Sequence, residues 1–203
     1  MKPFIIGICG GSGSGKTTLL KKIKSALGHE NVSVFTMDNY YLPKEKQVRD
    51  KNNSVNFDLP TALNEKQLCL DLQQLISGEE IKVKEYFFNA PVNENKTVSI
   101  APNKVIIVEG LFLFYFEAVR ASLDFSIYVD VDPKHQLSRR MVRDQKTRGY
   151  SREGILYQWK EHVVPCYKKY ILPFRPTADF VFRNDDHAED DLKRLKKELE
   201  IIQ

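Results

Sequence analysis

The stretch Gly10-Gly11-Ser12-Gly13-Ser14-Gly15-Lys16-Thr17 follows an apolar run at residues 4–9 and leads into a helical pattern at 17–27, and that order decides the fold. It matches G-x-x-x-x-G-K-S/T, a phosphate-binding loop whose specificity comes from lying between a strand and a helix. Glycines let successive backbone N–H groups turn inward around phosphate oxygens. The helix that follows aims its positive end at the same point. Lys16 is expected to bridge the β- and γ-phosphates and Thr17 to offer its hydroxyl to Mg²⁺. The nucleotide would thus be held by Gly10, Gly11, Ser12, Gly13, Ser14, Gly15, Lys16, Thr17 and Thr18. A flexible glycine turn is the competing reading, and it leaves the Lys-Thr pair unexplained.

Working outward, further apolar runs at 32–37, 105–108, 125–131 and 180–182 read as short strands buried on both faces. Helical patterns at 17–27, 61–76, 133–148, 152–172 and 188–201 alternate with them. Alternation of this kind predicts a three-layer α/β domain with a five-stranded, mainly parallel sheet. Residues 81–100 break the rhythm with two short extended segments around a Pro/Asn turn and read as a hairpin inserted over the site. One domain spanning 1–203 follows.

Composition narrows the class. The chain has 203 residues, 42% of them hydrophobic and 29% charged, and a formal charge of +4. Those values exclude a disordered or fibrous chain, and the charge is too small to argue for nucleic acid. Cys9, Cys69 and Cys166 have neither pairing nor metal-like spacing, so they read as reduced, buried thiols. No run of about 18 apolar residues occurs, and the N-terminal stretch meets the phosphate loop instead of a cleavage site, so a cytoplasmic location is expected.

Two strands end in acids. The run at 105–108 leads to Glu109, the position from which a carboxylate holds Mg²⁺ directly or through water. The run at 32–37 leads to Asp38, at the carboxyl end of a strand, where open α/β sheets build their sites. Asp38 reads either as a general base or as an Asx residue starting a turn before Asn39. Arg139, Arg140, Arg143 and Arg148 recur at helical spacing, with Arg139 and Arg143 on one face and Arg140 and Asp144 on another. They are either a solvated helix face or a lid over the phosphates at about 139–152.

GGSGSGKTT, MDNYY, NFDLP, VIIVEGLFLF and LSRRMVRDQKTRG, in this order and spacing, resemble the uridine-cytidine kinases over nearly the whole chain. The resemblance implies transfer of the γ-phosphoryl of ATP or GTP to the 5′-hydroxyl of a pyrimidine ribonucleoside, in pyrimidine salvage. It makes Asp38 the catalytic base and a magnesium neighbour beside Thr17 and Glu109. It gives the ribose hydroxyls to Asp58, the pocket walls to Tyr41, Phe57 and Tyr86, and a further sugar contact to Gln158. Arg143 and Arg148 become phosphate contacts, with Arg140 nearer the substrate, and assembly becomes a homotetramer.

The family pattern departs at the hairpin. A histidine usually stands where this chain has Pro91, and an aspartate where it has Phe87, so a donor is lost and the pocket wall becomes more apolar. Base recognition must therefore differ, which keeps related hydroxyl acceptors of the nicotinamide riboside, pantothenate or phosphoribulose type in play. A nucleotide-dependent switch would need N-K-x-D, yet Asn103-Lys104 is followed by Val105-Ile106. His29, His135, His162 and His187 fall outside the motifs and read as surface or helix residues.

Overall fold

The computed structural model describes residues 2–87 and 96–202. In chain order the main elements are β1 (Phe4–Gly10), α1 (Lys16–Leu27), β2 (Val32–Thr36), α2 (Glu65–Ile76), β3 (Ile81–Lys84), β4 (Thr97–Ile100) and β5 (Val105–Glu109). Then come α3 (Glu117–Arg120), β6 (Phe125–Asp130), α4 (Pro133–Arg148), α5 (Arg152–Gln158), α6 (Val164–Cys166), β7 (Phe180–Arg183) and α7 (Ala188–Ile202). Five strands form one sheet in the order β2-β5-β1-β6-β7, and every pairing in it is parallel. The sequence-based sheet is therefore correct in strand number and direction.

Strand pleating explains the three layers, because successive side chains leave a strand on opposite faces. Ile5, Cys9, Ile106 and Val108 enter a core with Leu68, Leu72 and Leu75 of α2, Val119 of α3 and Cys166 of α6. Their neighbours Ile6, Ile8, Val105 and Ile107 enter a second core with Leu19, Leu20 and Ile23 of α1 and Leu195 and Leu199 of α7. Both faces of the central strands are thus covered, as continuous apolar runs require. Cys9 and Cys166 are buried, and Cys69 is half-buried.

The sheet also fixes the site. From β1 the chain turns one way to β2 and β5 and later the other way to β6 and β7, so the order reverses at the carboxyl end of β1. Ligand crevices of open α/β sheets form at such a reversal, and the Gly10-to-Thr17 loop begins there.

Several boundaries differ from expectation for local reasons. Residues 60–62 form a 3₁₀ turn, and α2 starts later because Asn64 caps it, its Oδ1 accepting from Gln67 N at 3.2 Å. The helix expected at 152–172 is one helical path, but two π segments, Trp159–Val163 and Tyr167–Ile171, interrupt its α geometry. The hairpin is present as the antiparallel pair β3 and β4, with Ile81 opposite Ile100 and Lys84 opposite Thr97. Pro91 lies outside the described residues.

Candidate active site

The loop after β1 is shaped by backbone requirements. Gly13 and Gly15 adopt φ of +80° and +98°, and a Cβ on them would meet the Gln136 carbonyl oxygen at 2.6 Å and Asn184 Nδ2 at 2.2 Å. Only glycine fits both the left-handed conformation and that contact. Gly15 caps α1, whose first turn contains no acidic residue, so no carboxylate of the helix itself offsets its positive end. Lys16 Nζ donates to the carbonyls of Gly10 and Gly11 at 3.0 and 3.2 Å, which keeps the ammonium at the mouth of the loop.

One cleft gathers most of the residues singled out from sequence. Ser12, Gly13, Lys16 and Thr17 line it together with Asp38, Glu109, Tyr41, Phe57, Asp58, Arg140, Arg143, Arg148 and Gln158. Gly10, Gly11 and Ser14, which are buried, half-buried Gly15 and exposed Thr18 are outside the lining. Charge interactions give its internal order. Glu109 interacts with Asp38 and Lys16, Tyr41 with Asp38 and Asp58, and Asp58 with Arg140 and His162. Asp38 is thus a charge neighbour of both Glu109, which faces Lys16, and Tyr41, which faces Asp58.

Each carboxylate has an identifiable environment. Burial, reinforced by the nearby Asp38, pushes Glu109 up to about 6, against the partial relief supplied by Lys16 and by Thr36 Oγ1, which donates to Glu109 Oε1 at 3.1 Å. Burial likewise raises Asp58, opposed by Arg140, His162 and Arg148. The oxygens of Thr17, Glu109 and Asp38 are hard donors, and two crowded carboxylates are what a small divalent cation would relieve. Among the described residues no cluster of three or more His, Cys, Asp or Glu forms a metal cage. The donor set thus fits Mg²⁺ carried with nucleotide phosphates.

The aromatic wall is built around Tyr41, which meets Phe57 edge-on at 6.1 Å and Tyr86 at 5.4 Å between ring centroids. Tyr86 is brought there from the base of the hairpin, its N–H donating to Asn39 Oδ1 at 3.2 Å. Tyr86 and Phe87 both lie outside the cleft lining, Tyr86 in contact with Tyr41 and Phe87 45% exposed.

The arginines sort by partner. α4 begins at a proline behind the Asp132 cap and ends at Gly149 with φ +67°, which sets the phase of the arginine-bearing face. Arg139 departs from the lid expectation: its guanidinium donates to the carbonyls of Ser14 and Asn184 at 3.2 and 3.1 Å and ties the loop to the end of β7. Arg140, Arg143 and Arg148 instead surround Asp144. Arg143 Nε donates to Asp144 Oδ1 at 2.8 Å, Arg148 Nε lies 3.4 Å from the same oxygen, and Arg140 Nε lies 3.0 Å from Oδ2 outside hydrogen-bond geometry. Arg140 also donates to Ser12 Oγ and to Gln158 Oε1, each at 3.0 Å, and reaches Asp58 at 3.9 Å. It spans the cleft from phosphate loop to Asp58.

Two buried polar residues at or beside the cleft escape a motif-based reading. Asp144 is completely buried and holds three guanidinium groups, and its signal was an acid four residues after Arg140 within a basic run. His162, read as a surface or helix residue, lies on the helical path but is 3% exposed, lines the cleft and pairs with Asp50, Nε2 to Oδ2 2.7 Å. Its signal was the four-residue step from Gln158 along one helical path. A hydrogen bond from Tyr157, followed by the one from His162, holds the Asp50 carboxyl well below the usual carboxylate range.

The parallel sheet, its switch point and the glycine-built loop are those of the P-loop kinases. Solved structures agree on the fold: a possible uridine kinase from Bacillus stearothermophilus superimposes with a TM-score of 0.59 at 21% identity, covering 90% of this chain and 89% of that one. The phosphoribulokinase from Rhodobacter spheroides gives a TM-score of 0.66 at 15% identity, covering 90% of this chain and 70% of that one.

Residues 5–188 match the model of the Phosphoribulokinase / Uridine kinase family, and the chain belongs to that family. Among curated relatives, uridine-cytidine kinase B from Dictyostelium discoideum is 37% identical over 179 residues, 88% of this chain and 74% of the relative. A uridine kinase from Staphylococcus haemolyticus is 36% identical over 177 residues, 87% of this chain and 86% of the relative.

Proposed function

We propose that the protein, as one kinase unit over residues 1–203, transfers the γ-phosphoryl of ATP or GTP to the 5′-hydroxyl of a pyrimidine ribonucleoside, uridine or cytidine. The observation that carries this reading is that one cleft gathers Lys16 of the loop, Asp38 and Asp58, with Tyr41 close to both carboxylates. A hydroxyl bound at the Asp58 end is thereby presented to a carboxylate and to the terminal phosphate together. The uridine kinases among the relatives point to the same acceptor.

In this mechanism Asp58 accepts hydrogen bonds from the ribose, while Tyr41, Phe57 and Tyr86 wall the nucleoside. Asp38 orients the acceptor hydroxyl and takes its proton, because proton removal by a placed base is worth about 10²–10⁴-fold. Lys16, Arg143 and Arg148 stabilise negative charge on the transferred phosphoryl. Thr17, Glu109 and Asp38 would hold Mg²⁺ together with the phosphates, and the ion would supply charge neutralisation there. Closure of the arginine segment over the nucleotide would exclude water.

ATP consumption measured with and without uridine or cytidine tests the reading. Turnover is expected to depend on added nucleoside, and nucleoside-independent hydrolysis would sink it. The same assay run with nicotinamide riboside, pantothenate and ribulose 5-phosphate separates the related acceptors.

The raised Glu109 carboxyl yields a second test. Its folded value, about 6, lies above the ordinary 4.5, so the ionised form opposes folding. That penalty is absent below about pH 4.5, grows toward pH 6 and is complete above it, at a cost of about 2 kcal/mol. Glu109→Gln should therefore raise the metal-free Tm by about 5 °C at pH 7.5 and leave it unchanged near pH 4. The same variant should lose Mg²⁺-dependent turnover. A Tm that falls at pH 7.5 would contradict the assigned penalty.

A further inference from the structure

Of the polar side chains lining the cleft, Ser12, Arg140, Tyr150, Gln158 and His162 have no step in the mechanism above, and the surroundings of His162 are built to hold it. Asp50 is the centre of that support. Its Oδ1 accepts from the backbone N–H of Asn52 and Ser54 at 2.8 and 2.9 Å, and its Oδ2 accepts from Tyr157 at 2.5 Å as well as pairing with His162 Nε2. Tyr157 OH in turn accepts from Asn52 Nδ2 at 2.8 Å. Asn53 is held at φ +61°, the one positive-φ residue other than glycine among those described, so the 50–54 turn wraps around the carboxylate. Asn tolerates that conformation better than most residues.

An ionised carboxylate only accepts hydrogen bonds, so Nε2 carries the proton and the other ring nitrogen, Nδ1, is left for a different partner. Among the described residues His162 makes no hydrogen bond other than the one to Asp50. The ring lies on the Asp58 side of the cleft, close enough for its charge to act on that carboxyl, and one turn along the chain from Gln158. It sits within the π segment Trp159–Val163, a local irregularity that recurs at functional sites.

We infer that His162, positioned by Asp50, reads one hydroxyl of the sugar's vicinal diol alongside Asp58, and so sets selectivity for ribonucleosides over deoxynucleosides. A hydroxyl both donates and accepts, so it satisfies Nδ1 whether the ring is neutral or protonated. Asp58 accepts from the other hydroxyl, and Gln158 and Arg140, already bonded to each other, close the polar end. This inference rests on the nucleoside kinase reading.

The test compares the wild-type chain with His162→Phe, His162→Gln and Asp50→Asn on uridine, 2′-deoxyuridine and 3′-deoxyuridine with ATP. Turnover is followed together with the inhibition constants of the deoxy analogues. His162→Phe should lower kcat/KM for uridine about tenfold, through KM, as loss of one hydrogen bond predicts. For the analogue that lacks the hydroxyl read by His162, binding should change less than about twofold, because the partner is already missing. His162→Gln should recover part of the discrimination, and Asp50→Asn should lose part of it with the ATP KM unaltered. Equal losses on all three nucleosides would overturn the role of His162 and leave a purely structural one. A wild-type chain inert toward uridine and cytidine would overturn the kinase reading and this inference with it.

Discussion

An Asp38→Asn variant is expected to bind ATP about as tightly as the parent and to turn nucleoside over at least about 10²-fold more slowly. The amide keeps the size of the side chain and its place at the end of β2, and the backbone anchor is untouched, since that bond runs from Asp38 N–H to Thr36 Oγ1 at 3.3 Å. What disappears is the group that takes the proton. Nucleotide affinity by calorimetry and kcat from coupled ATP consumption separate the two effects. A variant with parental kcat would remove Asp38 from the role of base, and the Asx-turn reading of this residue would then stand.

The second large effect concerns folding more than chemistry. Asp144 has no exposed side-chain surface, and Arg140, one of its three partners, keeps only 6%. Truncating one member of a buried charged group leaves the others uncompensated, at a cost of about 3–5 kcal/mol. Here three like charges would be left facing one another: Arg148 is already pulled down, chiefly by burial and then by the neighbouring Arg143, with Asp144 opposing. Asp144→Ala should therefore lower the Tm by about 10 °C or more and reduce kcat as the guanidinium groups spread. Asp144→Asn should be intermediate in both. Thermal denaturation of the three proteins side by side checks this, and parental stability in Asp144→Ala would show that solvent compensates the arginines.

The contrast between Asp38 and Asp144 shows where sequence carried the information. Asp38, Glu109 and the loop at Gly10 to Thr17 each sit at the end of an apolar run, and a strand end is a local feature. The strand faces were equally legible, because alternation along Ile5, Ile6, Ile8 and Cys9 is a property of pleating alone. Asp144 was noticed only as a helix neighbour of Arg140. Its value comes from three arginines and from burial supplied by the fold, neither of which spacing reveals.

His162 illustrates a different limit. Its partner Asp50 lies 112 positions away, on a turn whose shape depends on an unusual backbone angle at Asn53. The π segments that set the phase of His162 also left no mark, since VVPCYKK reads as ordinary helix. By contrast, the late start of α2 was visible in principle. Asn64 and Gln67 have the spacing of a cap and its acceptor-bound partner, and Pro60 favours the turn before it.

The register of the central strand carries a consequence for how the chain is made. Phe4 of β1 lies opposite Val105 of β5, and the other edge of β1 is taken by β6, later still. A nascent chain made only as far as Lys104 thus displays the full glycine-rich motif while its supporting strand has neither neighbour. Closing so distant a pairing is slow and must precede the contacts that reward it. The glycine-rich motif, made before both strands that flank β1, is for that reason late to take shape, and a polypeptide truncated before Val105 should retain the motif and bind no nucleotide.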